Sequence, residues 1–264
     1  MRGHGRRLRA FALPLLLAAA AAPTPPATRP PLAPPAATRA PAPPAAAARP
    51  AVFAPTARPT PAPGEVRVSV WIVGSDKKRT AGQGAVVWIP GSTAPEPPPH
   101  GRISSRAKRF EPRVTAVAAG GTVDFPNLDK IHHNVFSLSE RARFDLGLYK
   151  NGASKPHTFT TPGLVRVYCN IHPNMAAFVM VVDGERYAVA GADGFALLPG
   201  LPAGRYSLKV WEERGGEVAT TAEVVPGKTT PVVVTLDASA YREVAHTRKD
   251  GTGYPPPDDD ENRY

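Results

Sequence analysis

Only one cysteine, Cys169, stands in the 264 residues, so no internal disulfide framework holds this chain together. In an oxidising compartment a lone thiol is buried and inert, exposed and troublesome, or held by a metal. Acidic residues are missing from residues 1–63, which carry 8 Lys and Arg. Of the 32 basic and 22 acidic residues in the whole chain, 24 and 22 therefore lie beyond residue 63, a net of +2. The overall charge of +10 is thus largely an N-terminal property, and nucleic-acid binding by the globular part is not supported. No segment shows the apolar spacing of a helix. The apolar run 11–22 is too short to span a bilayer.

That run follows Arg2, Arg6, Arg7 and Arg9, and together they read as a secretory signal over 1–22, with Ala18 and Ala20 offering an Ala-x-Ala cleavage site. Export to the periplasm or the cell surface follows, and a signal left uncleaved would tether the protein to the membrane. Residues 23–63 hold 15 of the 33 prolines and little apolar side-chain surface, the composition of a semi-rigid, extended linker. The tail, 238–264, is polar and is expected to lack fixed structure.

Between linker and tail the chain reads as strands. "VRVSVWIV" (66–73) and much of "RVTAVAAGGTVDF" (113–125) alternate with a period of two, and Gly and Pro punctuate nearly every segment. Residues 138–155 are the least strand-like and predict a loop with a helical turn. The fold class is all-β, in sandwich form. Trp71, Trp88 and Trp211 read equally as core or as surface.

The chemistry sits in "YCNIHPNM" (168–175). A thiolate, an imidazole and a thioether in one short loop, joined by a second imidazole from elsewhere, make the His₂Cys set with a weak axial Met that selects copper for electron transfer. Cys169 ends a strand, and a tight turn brings His172 and Met175 around the same point. "HHNVF" offers His132 and His133 for the second imidazole. As neighbours in a strand they face opposite ways, so only one meets the metal. Met180 is a further thioether, but its place inside a strand suits a core side chain.

Residues 103–183 resemble the cupredoxins, the family of plastocyanin, pseudoazurin and amicyanin. The resemblance rests on "GGTVDFPN", on a histidine directly before Asn-Val, and on the Cys-x-x-His-x-x-Met loop, whose spacing is similar to amicyanin's. The set "FPNLDKIHHNVFS", "FDLGLY" and "CNIHPNM" also resembles proteins described as methylamine-utilisation-like. The resemblance implies a Greek-key β-sandwich holding one type 1 copper per chain, with His133, Cys169, His172 and Met175 as ligands. It further implies that Asn134 ties the ligand loops together and that His172 is the exit point for electrons. Residues 66–92 and 184–237 resemble the two halves of a carboxypeptidase regulatory-like, transthyretin-like β-sandwich, through "GAVV", "DGF" and "GLPAGRY". The cupredoxin unit is therefore expected to be inserted into that sandwich or followed by it. The alternative is that 66–91 supplies extra strands to the inserted unit.

A one-electron carrier is the leading functional expectation, with an exported c-type cytochrome, dehydrogenase or oxidase as partner. Copper carriage or storage is a second reading. A cell-surface β-sandwich module with a vestigial copper site is a third. Enzymatic turnover of the multicopper kind is not expected, because the chain has no His-x-His pair and few spare histidines among its 7. His100, His157 and His246 lack ligand partners in sequence and read as surface or loop residues.

Overall fold

The structure, a computed structural model, describes residues 61–96, 100–243 and 245–255. The expected signal, nearly all of the linker and the last part of the tail lie outside these residues. Eighteen strands and no helix occur among the described residues, and they are labelled in chain order. None of the described residues forms a helix long and apolar enough to cross a membrane.

Strand β1 (Gly64–Val73) turns its alternating sequence into two faces: Val66, Val68, Val70 and Ile72 are buried while Arg67 is exposed. It lies between β15 (Phe195–Leu201), antiparallel, and β18 (Thr229–Asp237), parallel, with β2 (Arg79–Ala81) paired to its far end. A second sheet runs in the order β14 (Tyr187–Val189), β3 (Val86–Trp88), β16 (Gly204–Glu212), β17 (Gly216–Val224). Val66, Val68, Val70 and Ile72 share one core with Val87, Leu198, Leu208 and Val210, so the two sheets close on each other. Two turns fix this sandwich. Gly194 has φ +78°, and a Cβ there would lie 2.7 Å from the Val70 carbonyl oxygen, so the Asp-Gly-Phe turn requires glycine. The Tyr206 hydroxyl donates to the Pro202 carbonyl at 2.8 Å, pinning the corner that leads into β16.

The chain leaves this pair of sheets after β3 and returns to them at β14, where Tyr187 lies opposite Trp88. The residues between build a second sandwich. Its larger sheet has the order β10 (Ala142–Tyr149), β9 (His133–Ser139), β12 (Gly163–Tyr168), β13 (Ala176–Val182), β7 (Val114–Ala118). The smaller sheet is β11 (Ser154–Phe159), β8 (Gly121–Pro126), β4 (Gly101–Arg102), and a hairpin of β5 (Ser104–Arg106) and β6 (Arg109–Glu111) lies alongside. Val123, Phe125 and Phe159 meet Val135, Val165, Val167 and Val179 in the core between the sheets.

Strand β13 is apolar on both faces, as the run "AAFVMVV" requires. Ala177, Val179 and Val181 enter the second core. Phe178, Met180 and Val182 face the other way, onto Val86, Trp88 and Trp211 of the first sandwich. This third cluster joins the two sandwiches. Met180 is therefore a core side chain, on the opposite face from the second core. Trp88 and Trp211 are buried and Trp71 is half-buried. The Trp88 indole N–H donates to Asp183 at 2.7 Å.

Two expectations are corrected. Residues 142–149 form strand β10 rather than a loop with a helical turn. Its alternation is hidden by a bulge: Phe144 and Leu146 pack on the core, Gly147 adopts φ +68°, and the buried position then shifts to Tyr149 while Leu148 is exposed. The tail, expected to lack fixed structure, is placed against the domain as far as residue 255, apart from residue 244, through side chains described below.

Candidate metal centre

Strands β12 and β13 pair as far as Tyr168 opposite Ala176, and residues 169–175 form the loop that joins them. The Cys169 N–H donates to the Met175 carbonyl at 3.1 Å, and the Met175 N–H to the His172 carbonyl at 3.2 Å, so the loop is closed by its own backbone. Cys169 and Met175 are fully buried in the second core, and His172 is half-exposed. Neighbouring β9 starts at His133, which is fully buried. His132 is exposed, so of the two adjacent imidazoles the one before Asn134 turns inward.

The Cys169 Sγ lies 3.6 Å from His172 Nδ1 and 4.0 Å from His133 Nδ1. The candidate ligand atoms of these three residues all lie within 4.8 Å of one another. An ion holding sulfur at about 2.3 Å and imidazole nitrogen at about 2.0 Å, with angles between tetrahedral and trigonal, sets the two about 3.6 Å apart. The observed separations are too long for strong hydrogen bonds and close to what a shared ion demands. The donor set thus fits a metal of borderline softness, and copper in particular.

Protonation states agree with that fit. Burial lowers the pKa of His133, against the opposing pull of Asp129. Burial, together with His133 and Lys108, pushes His172 down to about 4. Both rings are therefore neutral at neutral pH, as ligands must be. Burial pushes the Cys169 thiol up, although backbone N–H groups of Asn134, Ile171 and His172 oppose this by favouring the thiolate. A cation at the site would reverse the thiol's preference. Pro173, with no N–H, contributes nothing to the sulfur.

Sequence reading missed Asp129. Its Oδ2 lies 2.7 Å from His133 Nε2, which leaves Nδ1 directed at Cys169. The same carboxylate accepts the backbone N–H groups of Ala107 at 2.6 Å and Lys108 at 2.9 Å. Those two residues form the β5–β6 turn with φ of +49° and +54°, a conformation that non-glycine residues adopt only with compensation. Burial would raise the Asp129 pKa, but the hydrogen bonds from Lys108, His133 and Ala107 outweigh it, and the carboxyl is held below its ordinary value. The one local signal is "NLDKIHH": the Asn127 side chain accepts the Asp129 N–H at 2.9 Å and fixes the turn leading to His133.

The Asn134 backbone N–H favours the Cys169 thiolate, and its side-chain amide donates to Asp145 Oδ1 on β10 at 2.7 Å. His246, read as a surface or loop residue, stacks on Tyr168 with ring centroids 4.2 Å apart and planes 13° from parallel. His157 stacks on Phe144 at 4.0 Å, and His100 is exposed.

No protein-family model and no curated protein matches the chain. Solved structures do. A copper-containing nitrite reductase from Thermus scotoductus SA-01 is 23% identical with a TM-score of 0.31, over 34% of this chain and 27% of that one. This chain thus spans about a quarter (27%) of that enzyme's length. A purple cupredoxin from Nitrosopumilus maritimus is 24% identical with a TM-score of 0.28, over 31% of this chain and 98% of that one. An amicyanin variant in its Cu(I) state is 22% identical with a TM-score of 0.30, over 36% of this chain and 97% of that one. The chain is similar to these three over about a third of its length (31–36%), and likenesses this low carry no functional argument.

Proposed function

We propose that this protein binds one type 1 copper ion per chain through His133, Cys169, His172 and Met175, and carries single electrons between exported redox proteins. The observation that carries the reading is the convergence of one thiol and two neutral imidazoles within 4.8 Å, two of the three fully buried. Copper bound there would supply a one-electron couple. The chain's own residues supply rigidity and dryness. Cys169 and Met175 are fixed by the ends of β12 and β13, and His133 by β9 and Asp129, so a change of charge has little structure to rearrange. The half-exposed His172, between half-buried Ile171 and exposed Pro173, is the one ring of the set with an edge toward solvent.

The proposed partner is an exported c-type cytochrome, dehydrogenase or oxidase, and the proposed location is the periplasm or cell surface. The protein is read as a carrier rather than an enzyme. The other sandwich, transthyretin-like in this reading, serves as a scaffold or docking element packed through the Trp88 cluster on the sandwich that carries Cys169. Repeated reduction and reoxidation of the copper-loaded protein tests the carrier role. Copper retained through many cycles supports it. Copper lost on reduction, or passed within seconds to an acceptor apoprotein, would assign the chain to copper delivery instead.

A further inference from the structure

Two backbone–backbone hydrogen bonds close the loop 169–175 on itself. The C-terminal segment adds contacts from outside the loop. The Tyr254 hydroxyl donates to the Cys169 carbonyl at 2.5 Å, across a separation of 85 residues. The His246 ring lies flat on Tyr168, the residue before the thiol. Tyr254 in turn packs edge-on to His246 with centroids 5.2 Å apart. The Lys249 N–H donates to the Asn170 side chain at 2.8 Å.

The same lysine reaches the other ligand-bearing strand. Lys249 Nζ lies 2.6 Å from Asp145 Oδ2, and the other oxygen of that carboxylate accepts the Asn134 side-chain amide at 2.7 Å. Asn134 directly follows His133 on β9, and its backbone N–H favours the Cys169 thiolate. One segment from outside both sandwich cores is therefore fastened to the Cys169 loop at two residues and, through Asp145 and Asn134, to the strand that carries His133.

We propose that residues 245–255 are a positioning element of the metal centre: Tyr254 sets the Cys169 backbone, His246 packs against Tyr168 beside it, and Lys249 locks the Cys169 loop to the His133 strand. The segment's hydrogen bonds and ring contacts go to the Cys169 carbonyl, Tyr168, Asn170 and Asp145. The segment acts by limiting how far the thiol can move relative to the imidazoles, which keeps the ligand cage closed and the sulfur inaccessible. As a role at the copper site this rests on the reading above, but the restraint on Cys169 is a property of the metal-free chain too.

The experiment compares the full chain with Tyr254→Phe, with Lys249→Ala, and with a chain ending at Glu243. The metal-free proteins are reacted with an aromatic disulfide. Cys169 is fully buried, so it reacts only through local opening. Loss of the Tyr254 hydrogen bond to the loop, or of the Lys249–Asp145 pair that ties the segment to the neighbouring strands, is expected to speed the reaction up to about fivefold, and truncation by more than tenfold. The same proteins with Cu(II) are expected to show a shifted thiolate-to-copper band and a changed copper hyperfine splitting. Equal thiol rates in all four proteins would overturn the proposal. So would a drop in unfolding midpoint with thiol rate and spectrum unmoved, since the segment would then be a brace for the fold alone. Faster thiol reaction with no visible band in any protein would uphold the restraint and sink the copper reading, so the two failures are distinguishable. If the truncated chain does not fold, the two point variants decide.

Discussion

Replacement of Asp129 by asparagine tests how the buried imidazole is held. The carboxylate of Asp129 accepts from Ala107, Lys108 and His133, with Oδ2 shared between the last two. Asparagine keeps the shape and one acceptor oxygen. If that oxygen takes the place of Oδ2, the amide N–H₂ meets the Ala107 N–H, donor against donor. If it takes the place of Oδ1, the amide meets both Lys108 and the His133 Nε2–H. Either way the charge is lost, and hydrogen bonds worth about 1.5–3 kcal/mol each fall to about 1 kcal/mol or become repulsive. In the second arrangement His133 also prefers the tautomer with its proton on Nδ1, which cannot bind a metal. Asp129→Asn is therefore expected to weaken copper binding by about 10–100-fold, or about 1.4–2.8 kcal/mol, as removal of a carboxylate behind a ligand histidine generally does. Competition against a chelator of known affinity measures this directly. Nitrogen NMR of the metal-free protein reports the His133 tautomer independently. Affinity within twofold of the parent, with an unchanged tautomer, would refute the role assigned to Asp129.

Two further outcomes are expected. Because burial lowers the pKa of His133 and takes His172 from 6.5 to about 4, the unfolded chain binds more protons than the folded one between those values. Stability of the metal-free protein should therefore fall as pH drops from 6.5 towards 4, with His157 and His246 adding in the same direction, and urea midpoints flat across that range would contradict this. Trp88→Ala should cost about 3–5 kcal/mol, a fall of about 10 °C in melting temperature, because it empties the cluster joining the two sandwiches; calorimetry showing a change below about 1 kcal/mol would mean that cluster does not couple them.

The strands and the clustered donor residues were legible in the sequence because each depends on neighbours in the chain. Period-two alternation gives β1, a doubly apolar run gives β13, and Cys-x-x-His-x-x-Met in a strand-ending loop brings three donors to one place without long-range information. The choice of His133 over His132 followed the residues after it, and burial of the first with exposure of the second agrees. What escaped depends on geometry that sequence distance hides. Strand β10 was concealed by the bulge at Gly147, which moves the buried positions from even to odd numbers. Asp129 acts through a turn that brings its carboxylate to both His133 and the β5–β6 hairpin, 22 residues away at Ala107. The tail's hold on Cys169 spans 85 residues and falls in a polar segment without periodicity, where composition alone argues against order.

Titration of the protein with Cu(II), beside a Cys169→Ser variant, tests the central claim most directly. An intense visible thiolate-to-copper band that saturates at one copper per chain and vanishes in the variant is the predicted result. Colourless binding, or a band that survives the loss of the sulfur, would contradict the account.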